Sequence, residues 1–403
     1  LMPRSHEIAF DNSYSRLGAK FSRRQEPVPV VRPNSIRVNH TLAAGLGIDP
    51  DWLASDEGTL VLAGNAIPAG ADPIATVYAG HQFGVYNPQL GDGRAVLLGE
   101  VIGVDGQRYD IQLKGSGRTP YSRGGDGRAP IGPVLREYIL CEAMHALGIS
   151  TTRALAAVTT GETVFRDRAL PGGVLARVAS SHIRIGTLEF FAARGDTEAL
   201  HQLTGHVIER HYPAATDCER PAVELLSRVI DRQARLVAGW QALGFIHGVM
   251  NTDNMLLSGE TIDYGPCAFM DDYDPRKVYS SIDHGGRYAF GNQPGIAHWN
   301  LACLAQVLLP VIDEDKETAR ALAQATLDTF PDAYLKAHAA NLRSKLGLTQ
   351  ALDGDQALID DLFGVMADEE ADFTLTFRRL SDVAGPRGDE EAGVRALFEF
   401  TPA

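Results

Sequence analysis

The residues best suited to chemistry lie in one short stretch, His247-Gly248-Val249-Met250-Asn251-Thr252-Asp253-Asn254, followed soon after by Asp263-Tyr264-Gly265. Between them, Met255-Leu256-Leu257 and Thr261-Ile262-Asp263 flank Ser258-Gly259-Glu260, the pattern of a tight antiparallel hairpin. A hairpin this short sets its ends side by side, so the amide oxygen of Asn254 and the carboxylate of Asp263 are delivered to neighbouring points. Both are hard oxygen donors. Mg²⁺ takes one or two such protein ligands and fills its octahedron with water and nucleotide phosphates. An ordinary surface turn, with Asn and Asp as its customary residues, accounts for the same spacing.

The spacing resembles the catalytic core of protein kinases, in which H-x-D-x-x-x-x-N precedes a hairpin and D-F-G, the Asn and second Asp holding metal. His247 and Asn254 keep their places, and Asp263-Tyr264-Gly265 stands for D-F-G. Val249 occupies the position of the kinase's catalytic Asp, and a valine accepts no proton. The nearest carboxylate is Asp253, displaced to the residue before Asn254.

Such a loop needs elements to position it and its substrate. Gly91-Asp92-Gly93 turns into an apolar strand, where bare backbone N–H groups can approach phosphate oxygens and Arg94 adds charge, although most glycine-rich turns are only turns. The next strand, Tyr109 to Lys114, places Ile111 and Leu113 on one face and ends in a lysine, like the kinase V-A-I-K strand. A helix is expected from Pro133 to Leu147, with Gly148 as its C-terminal cap and Glu137 within reach of Lys114; Glu142 is the competitor. Between strand and helix runs a glycine-rich segment with three arginines, Arg118, Arg123 and Arg128, and no lysine. Guanidinium forks suit phosphate, and Asp126-Gly127 offers an oxygen and a bare N–H; the alternative is a mobile connector. Val174 to Ala179 reads as a buried strand carrying Arg177, whose charge must be compensated by a protein carboxylate or by a phosphate. Arg184 follows, either sharing that task or facing solvent.

Composition bounds the rest. A chain of 403 residues with 44% hydrophobic residues can bury a large core and form two lobes. A formal charge of -14 argues against nucleic-acid binding, which needs a basic face. Cys141, Cys218, Cys267 and Cys303 make neither a disulfide framework nor a C-x-x-C site, which suggests a reducing compartment. No window approaches the ~18 consecutive apolar residues of a membrane helix, and no signal peptide is evident, so a soluble, cytoplasmic, monomeric protein is expected. Residues 1 to about 75 read as an irregular extension broken by Pro27, Pro29 and Pro33. Strands dominate 76–185. Helical patterns dominate 186–403, at about 187–194, 197–211, 221–243, 297–310, 315–328 and 330–346, and Asp368-Glu369-Glu370 and Asp389-Glu390-Glu391 read as solvated acidic surface. The expected class is α+β: a bilobal protein-kinase-like fold with a strand-rich N-lobe and a helical C-lobe.

The segments Tyr78 to Gly84, Gln89 to Ala95, Leu113 to Ala129, Leu175 to Gly186 and His247 to Pro266 together resemble the selenoprotein O (YdiU) family. That resemblance implies a pseudokinase that transfers AMP from ATP to hydroxyl side chains (Ser, Thr, Tyr) of protein substrates and releases pyrophosphate. It implies that Gly91, Gly93, Arg94, Lys114, Asp126, Gly127, Arg177 and Arg184 hold the nucleotide. Asn254 and Asp263 would hold Mg²⁺ or Mn²⁺, Asp253 would accept the proton, and Glu137 would pair with Lys114. Uridylyl transfer from UTP with Mn²⁺ and a catalytically silent ATP-binding scaffold are the alternatives. Members of the family usually carry a cysteine or selenocysteine near the C-terminus, whereas no cysteine follows Cys303 here. Cys267, a potential partner for such a residue, is expected to be a small buried filler.

Overall fold

Alternating and continuous apolar runs in the first half of the chain build one antiparallel sheet. The computed structural model describes residues 8–383, which form two compact units. The first unit comprises the chain up to Leu225 together with Asn251–Tyr264 and Gln306–Ala319. Its strands are β1 (Ser22–Arg24), β2 (Asn34–Val38), β3 (Ile74–Thr76), β4 (Gly80–Gln82), β5 (Val85–Asn87), β6 (Ala95–Ile102), β7 (Arg108–Lys114), β8 (Ala129–Pro130), β9 (Arg153–Phe165) and β10 (Ala169–Ala179). Eight of them pair in the order β1-β3-β6-β7-β10-β9-β2, with β8 on β10, while β4 and β5 form a separate hairpin. Every pairing in the large sheet is antiparallel.

The expected irregularity before residue 75 is not what forms. That stretch contributes β1, β2 and three short helices, α1 (His40–Gly45), α2 (Pro50–Leu53) and α3 (Asp56–Ala63). Asn39, Asp49 and Ser55 each cap one of these helices by accepting from its first backbone N–H groups, and Pro50 starts α2. Trp52, Leu53, Val61 and Leu62 from the helices join Leu98, Ile111, Leu113, Leu155, Val158 and Val174 from the sheet in one core. Prolines limited the length of these elements without preventing them.

Helix α4 (Ile131–Ala146) packs on β9 and β10. After β10 come α5 (Ile185–Ala192) and α6 (Thr197–His211). Arg210 of α6 donates to Glu100 on β6 at 3.0 Å and to Asp110 on β7 at 2.6 Å, and His182 Nδ1 lies 2.9 Å from the same Asp110 carboxylate. This buried network fastens the helical segment to the sheet.

From Pro221 on the chain is mostly helical: α7 (Pro221–Leu243), α8 (Gln293–Ile312), α9 (Lys316–Leu327), α10 (Phe330–Lys345), α11 (Asp355–Asp368) and α12 (Phe373–Val383), with β11 (Phe245–Ile246) and β12 (Ala268–Phe269) paired. The last two helices were not expected from the sequence. The second unit, Leu226–Met250, Gly265–Ala305 and the chain from Arg320, has its own core of Ile246, Met270, Phe290, Met366, Phe373 and Phe377. The span Phe290–Ile312 is long and apolar enough by composition to cross a membrane. It nevertheless carries Gln293, which donates to the Phe245 carbonyl and accepts from the His247 N–H, and Asn300, which donates to the Met250 carbonyl. The acidic run at Asp389 lies outside the described residues.

Arg210→Leu should cost about 3–5 kcal/mol, because it removes the guanidinium that buried Glu100 and Asp110 share, leaving Arg108 and His182 to compensate them alone. Urea unfolding measures this, and a loss below ~1 kcal/mol would show that the network is not what fastens α6.

Candidate active site

Lys114 ends β7, opposite Ala95 on one side and Leu175 on the other. Its Nζ donates to Glu137 Oε2 at 2.6 Å and also to Asp263 Oδ1. Glu137 shares the buried face of α4 with Val134, Cys141 and Met144, so the helix aims it at the sheet. Its other oxygen accepts from Arg177 at 2.8 Å, and Arg177 lies 3.8 Å from Asp263 Oδ1. Arg177 also donates to Gln112, its register partner across β7 and β10. Glu142 is engaged elsewhere, by Arg153 and Asn39. Lys114 therefore pairs with Glu137 rather than Glu142, and within the protein a carboxylate and an amide compensate Arg177.

Asp263 is the open member of this group, with its side chain 34% exposed against 3% for Glu137 and 2% for Arg177. Burial opposes its ionisation, but Lys114, Arg177 and Arg94 outweigh that and hold its carboxyl far below the usual range. Its backbone has a φ of 69°, the left-handed region that non-glycine residues enter at a cost and that clusters at functional sites.

The expected hairpin after Asn254 is reduced to one antiparallel bridge, Met255 with Thr261, because Leu256 pairs outward with Arg184 and Thr261 also pairs with Thr151. That bridge still closes the segment, leaving Asn254 just outside it on one side and Asp263 on the other. Thr252–Asn254 forms a single 3-10 turn packed against α5 and β4. Arg184, at the N-terminus of α5, donates to the Asp253 carbonyl at 2.5 Å, stacks over Tyr78 at 4.4 Å and lies 3.9 Å from Asp92.

Asp253 is 7% exposed. Burial pushes its carboxyl up to about 6, with Arg184 and a hydrogen bond from Gln82 pulling the other way. Gln82 Nε2 donates to Oδ2 at 3.1 Å, whereas Oδ1 is buried without a hydrogen-bond partner among the described residues. Gly80 must be glycine here, since a Cβ would stand 2.5 Å from that same Oδ1.

The remaining expected residues divide. Gly91 has a φ of 106°, and a Cβ on it would strike the Tyr121 ring at 2.5 Å. The glycines of this turn thus make room for the loop 119–122, which is fastened by Thr119 Oγ1 donating to the Asp92 carbonyl and Ser122 Oγ to that of Gly93. Asp92 itself accepts from the backbone and hydroxyl of Thr76. Arg94 is exposed, close enough to Asp263 to lower its pKa. Asp126 is not drawn into the Lys114 cluster: Arg166 on the β9–β10 connection clasps it at 2.9 Å and 3.0 Å and, chiefly through these bonds, pulls its carboxyl down to about 2. Gly127 accepts from Gly117, and Arg128 donates to Val28, Pro29 and Glu162, so the glycine-rich segment is tethered rather than a loose connector. Gln82, Gln112 and Tyr78 were missed. Glutamines and tyrosines on strands carry no chemical signal until their neighbours are known, although Gln112 is two residues from Lys114 and hence on its face.

The family model described as Protein adenylyltransferase SelO matches residues 4–398. The chain belongs to the SelO family. It is 61% identical over 389 residues to a protein nucleotidyltransferase YdiU of Rhodopseudomonas palustris, covering 96% of this chain and 79% of that protein. It is 61% identical over 394 residues to the same-named protein of Methylorubrum extorquens, with the same coverage of each. Family membership makes this chain an enzyme, a nucleotidyltransferase, and the SelO chain described here keeps Lys114, Glu137, Arg177 and Asp263 in one connected group.

A native-state pKa of about 6 for Asp253 against an ordinary 3.8 corresponds to about 3 kcal/mol. Its folded pKa is raised, so folding favours the protonated form. Stability is gained as pH falls from above 6 towards 3.8 and is missing at pH 8. Asp253→Asn should therefore raise the melting temperature at pH 8 in metal-free buffer, and the gain should shrink at pH 4. Equal gains at both pH values would refute the burial of an unpaired carboxylate.

Proposed function

We propose that this SelO protein transfers AMP from ATP to hydroxyl side chains of protein substrates, within a bilobal protein-kinase-like fold, and releases pyrophosphate. The observation that carries the reading is Asp253, a buried carboxylate with one unpartnered oxygen beside a permanently ionised Asp263. Val249 leaves the kinase position without a base, and Asp253 supplies one nearby.

In this reading Asp253 Oδ1 takes the proton of the acceptor hydroxyl. The acceptor oxygen bonds to the α-phosphorus as the bond from that phosphorus to the bridging oxygen breaks, and the electron pair leaves on pyrophosphate. Lys114 and the exposed Arg94 face the phosphate charge. Glu137 keeps Lys114 extended, and Arg177, which donates to Glu137 and Gln112, braces Glu137 and adds positive charge behind the nucleotide. Preorganised cations of this kind need no reorganisation as charge moves to the leaving group. Arg184 holds the Asp253 backbone and so fixes the base relative to the ion group. Asp126 and Gly127, on the tethered glycine-rich segment, border the nucleotide.

Asn254 and Asp263 fit a divalent cation, Mg²⁺ or Mn²⁺. They are hard oxygen donors at the two ends of one closed segment, and Asp263 is the more exposed carboxylate of its ion group. Such an ion supplies charge neutralisation on phosphate oxygens. The four cysteines are all free, as suits a reducing cytoplasm.

ATP labelled at the α or at the γ phosphorus separates this reading from a kinase and from a silent scaffold: label should reach acceptor protein from the α position alone. Substituting α-labelled UTP with Mn²⁺ tests uridylyl transfer in the same format. Asp253→Ala should abolish the label while ATP affinity stays within about threefold, because the ion group is intact. Asp263→Ala should weaken metal-dependent ATP binding at least tenfold by titration calorimetry. Full label transfer by Asp253→Ala would sink the assignment of the base.

A further inference from the structure

The two carboxylate oxygens of Asp253 have different surroundings, and the difference is made by β4. Gln82 occupies Oδ2, and Oδ1 is left open. A carboxylate on two rotatable bonds would otherwise be free to turn, exchanging its oxygens or swinging toward the Arg184 guanidinium, which already lies against the same residue's carbonyl.

The strand that carries Gln82 is locked to the loop on both sides of that contact. The His81 N–H donates to Thr252 Oγ1 at 2.7 Å, and the Phe83 N–H donates to Asn251 Oδ1 at 3.2 Å. Residues 81, 82 and 83 thus each engage one of residues 251–253. Glu189 on α5 closes the arrangement: one oxygen accepts from Thr252 Oγ1 at 2.5 Å, and the other lies 2.6 Å from His81 Nδ1. Tyr86 on β5 donates to the Glu189 carbonyl at 3.3 Å. Gly80, at the start of the same strand, keeps the space beside Oδ1 clear.

From this arrangement we infer that Gln82 is a positioning residue for AMP transfer: its amide pins Asp253 Oδ2, so that Oδ1 alone meets the acceptor hydroxyl. The inference rests on the assignment of Asp253 as the base. Gln82 touches neither nucleotide nor acceptor in this scheme and acts only through Asp253. Supporting residues of this kind cost roughly 10- to 100-fold in activity when removed, and their loss falls on the chemical step rather than on nucleotide binding.

Gln82→Met keeps the length of the side chain and deletes the donor. With α-labelled ATP and a fixed acceptor protein, kcat should fall about 10- to 100-fold. KM for ATP and the calorimetric affinity for ATP with Mg²⁺ should stay within about twofold, and the melting temperature within a few degrees. In the Asp253→Ala background the same change should alter the residual rate less than about twofold, the mark of two residues acting as one unit. The inference is overturned if Gln82→Met keeps its rate within twofold of the unaltered protein, or if it loses the same factor again in the Asp253→Ala background. It is also overturned if ATP affinity falls in parallel with kcat, which would make Gln82 a structural support of the loop. This affinity measurement decides the matter where Asp253→Ala leaves no readable rate. An active Asp253→Ala protein would instead sink the base assignment itself, a separate and recognisable result.

Discussion

The structure depends on the cost of burying charge. Lys114, Glu137, Arg177 and Asp263 place two cations and two anions close together on two neighbouring strands, a helix and a loop. Each alone would be prohibitively expensive in that setting, and together they are tolerable only while the geometry is kept. The register of β7 against β10, the buried face of α4 and the left-handed backbone at Asp263 are all constrained by this one requirement. Because the group is nearly neutral overall, its single open member, Asp263, can face incoming charge without unbalancing the core.

How much of this was legible depended on whether a residue's meaning was local. Lys114 at the end of an alternating strand, Glu137 on an amphipathic helix and the Asn254-to-Asp263 spacing were readable, since periodicity and short loops fix where such side chains point. Helices at 197–211 and 221–243 form with the boundaries expected. The hairpin after Asn254 was half right: the ends meet, but Thr151 and Arg184 compete for its backbone, and those partners are distant in sequence. The same limit hid Tyr121, whose ring packs where a Cβ on Gly91 would stand, and Arg166, which bonds Asp126. Before residue 75 the prolines break regular patterns, yet Asn39, Asp49 and Ser55 cap helices beside them. Tertiary context decided each miss.

The chain carries a net charge of -14, and its cations near the site are segregated by depth. Arg177, Arg184 and Arg210 are buried and bound to carboxylates, carbonyls or an aromatic face, so they contribute order rather than long-range attraction. Arg94 remains exposed at the site, and Lys114 is only partly covered.

Two aspartates close together ordinarily behave alike, and here they do not. Asp263 is surrounded by Lys114, Arg177 and Arg94 and stays ionised at any working pH, which suits a ligand and disqualifies a base: its proton affinity is too low. Asp253 has only a backbone-bound arginine and an amide near it, and burial lifts its carboxyl into the range where a proton can be taken and returned. Environments that drive neighbouring carboxyls apart are how one fold assigns different tasks to the same side chain. Residue 253 also lies against β4 and α5, so its carboxylate is held by elements outside its own loop.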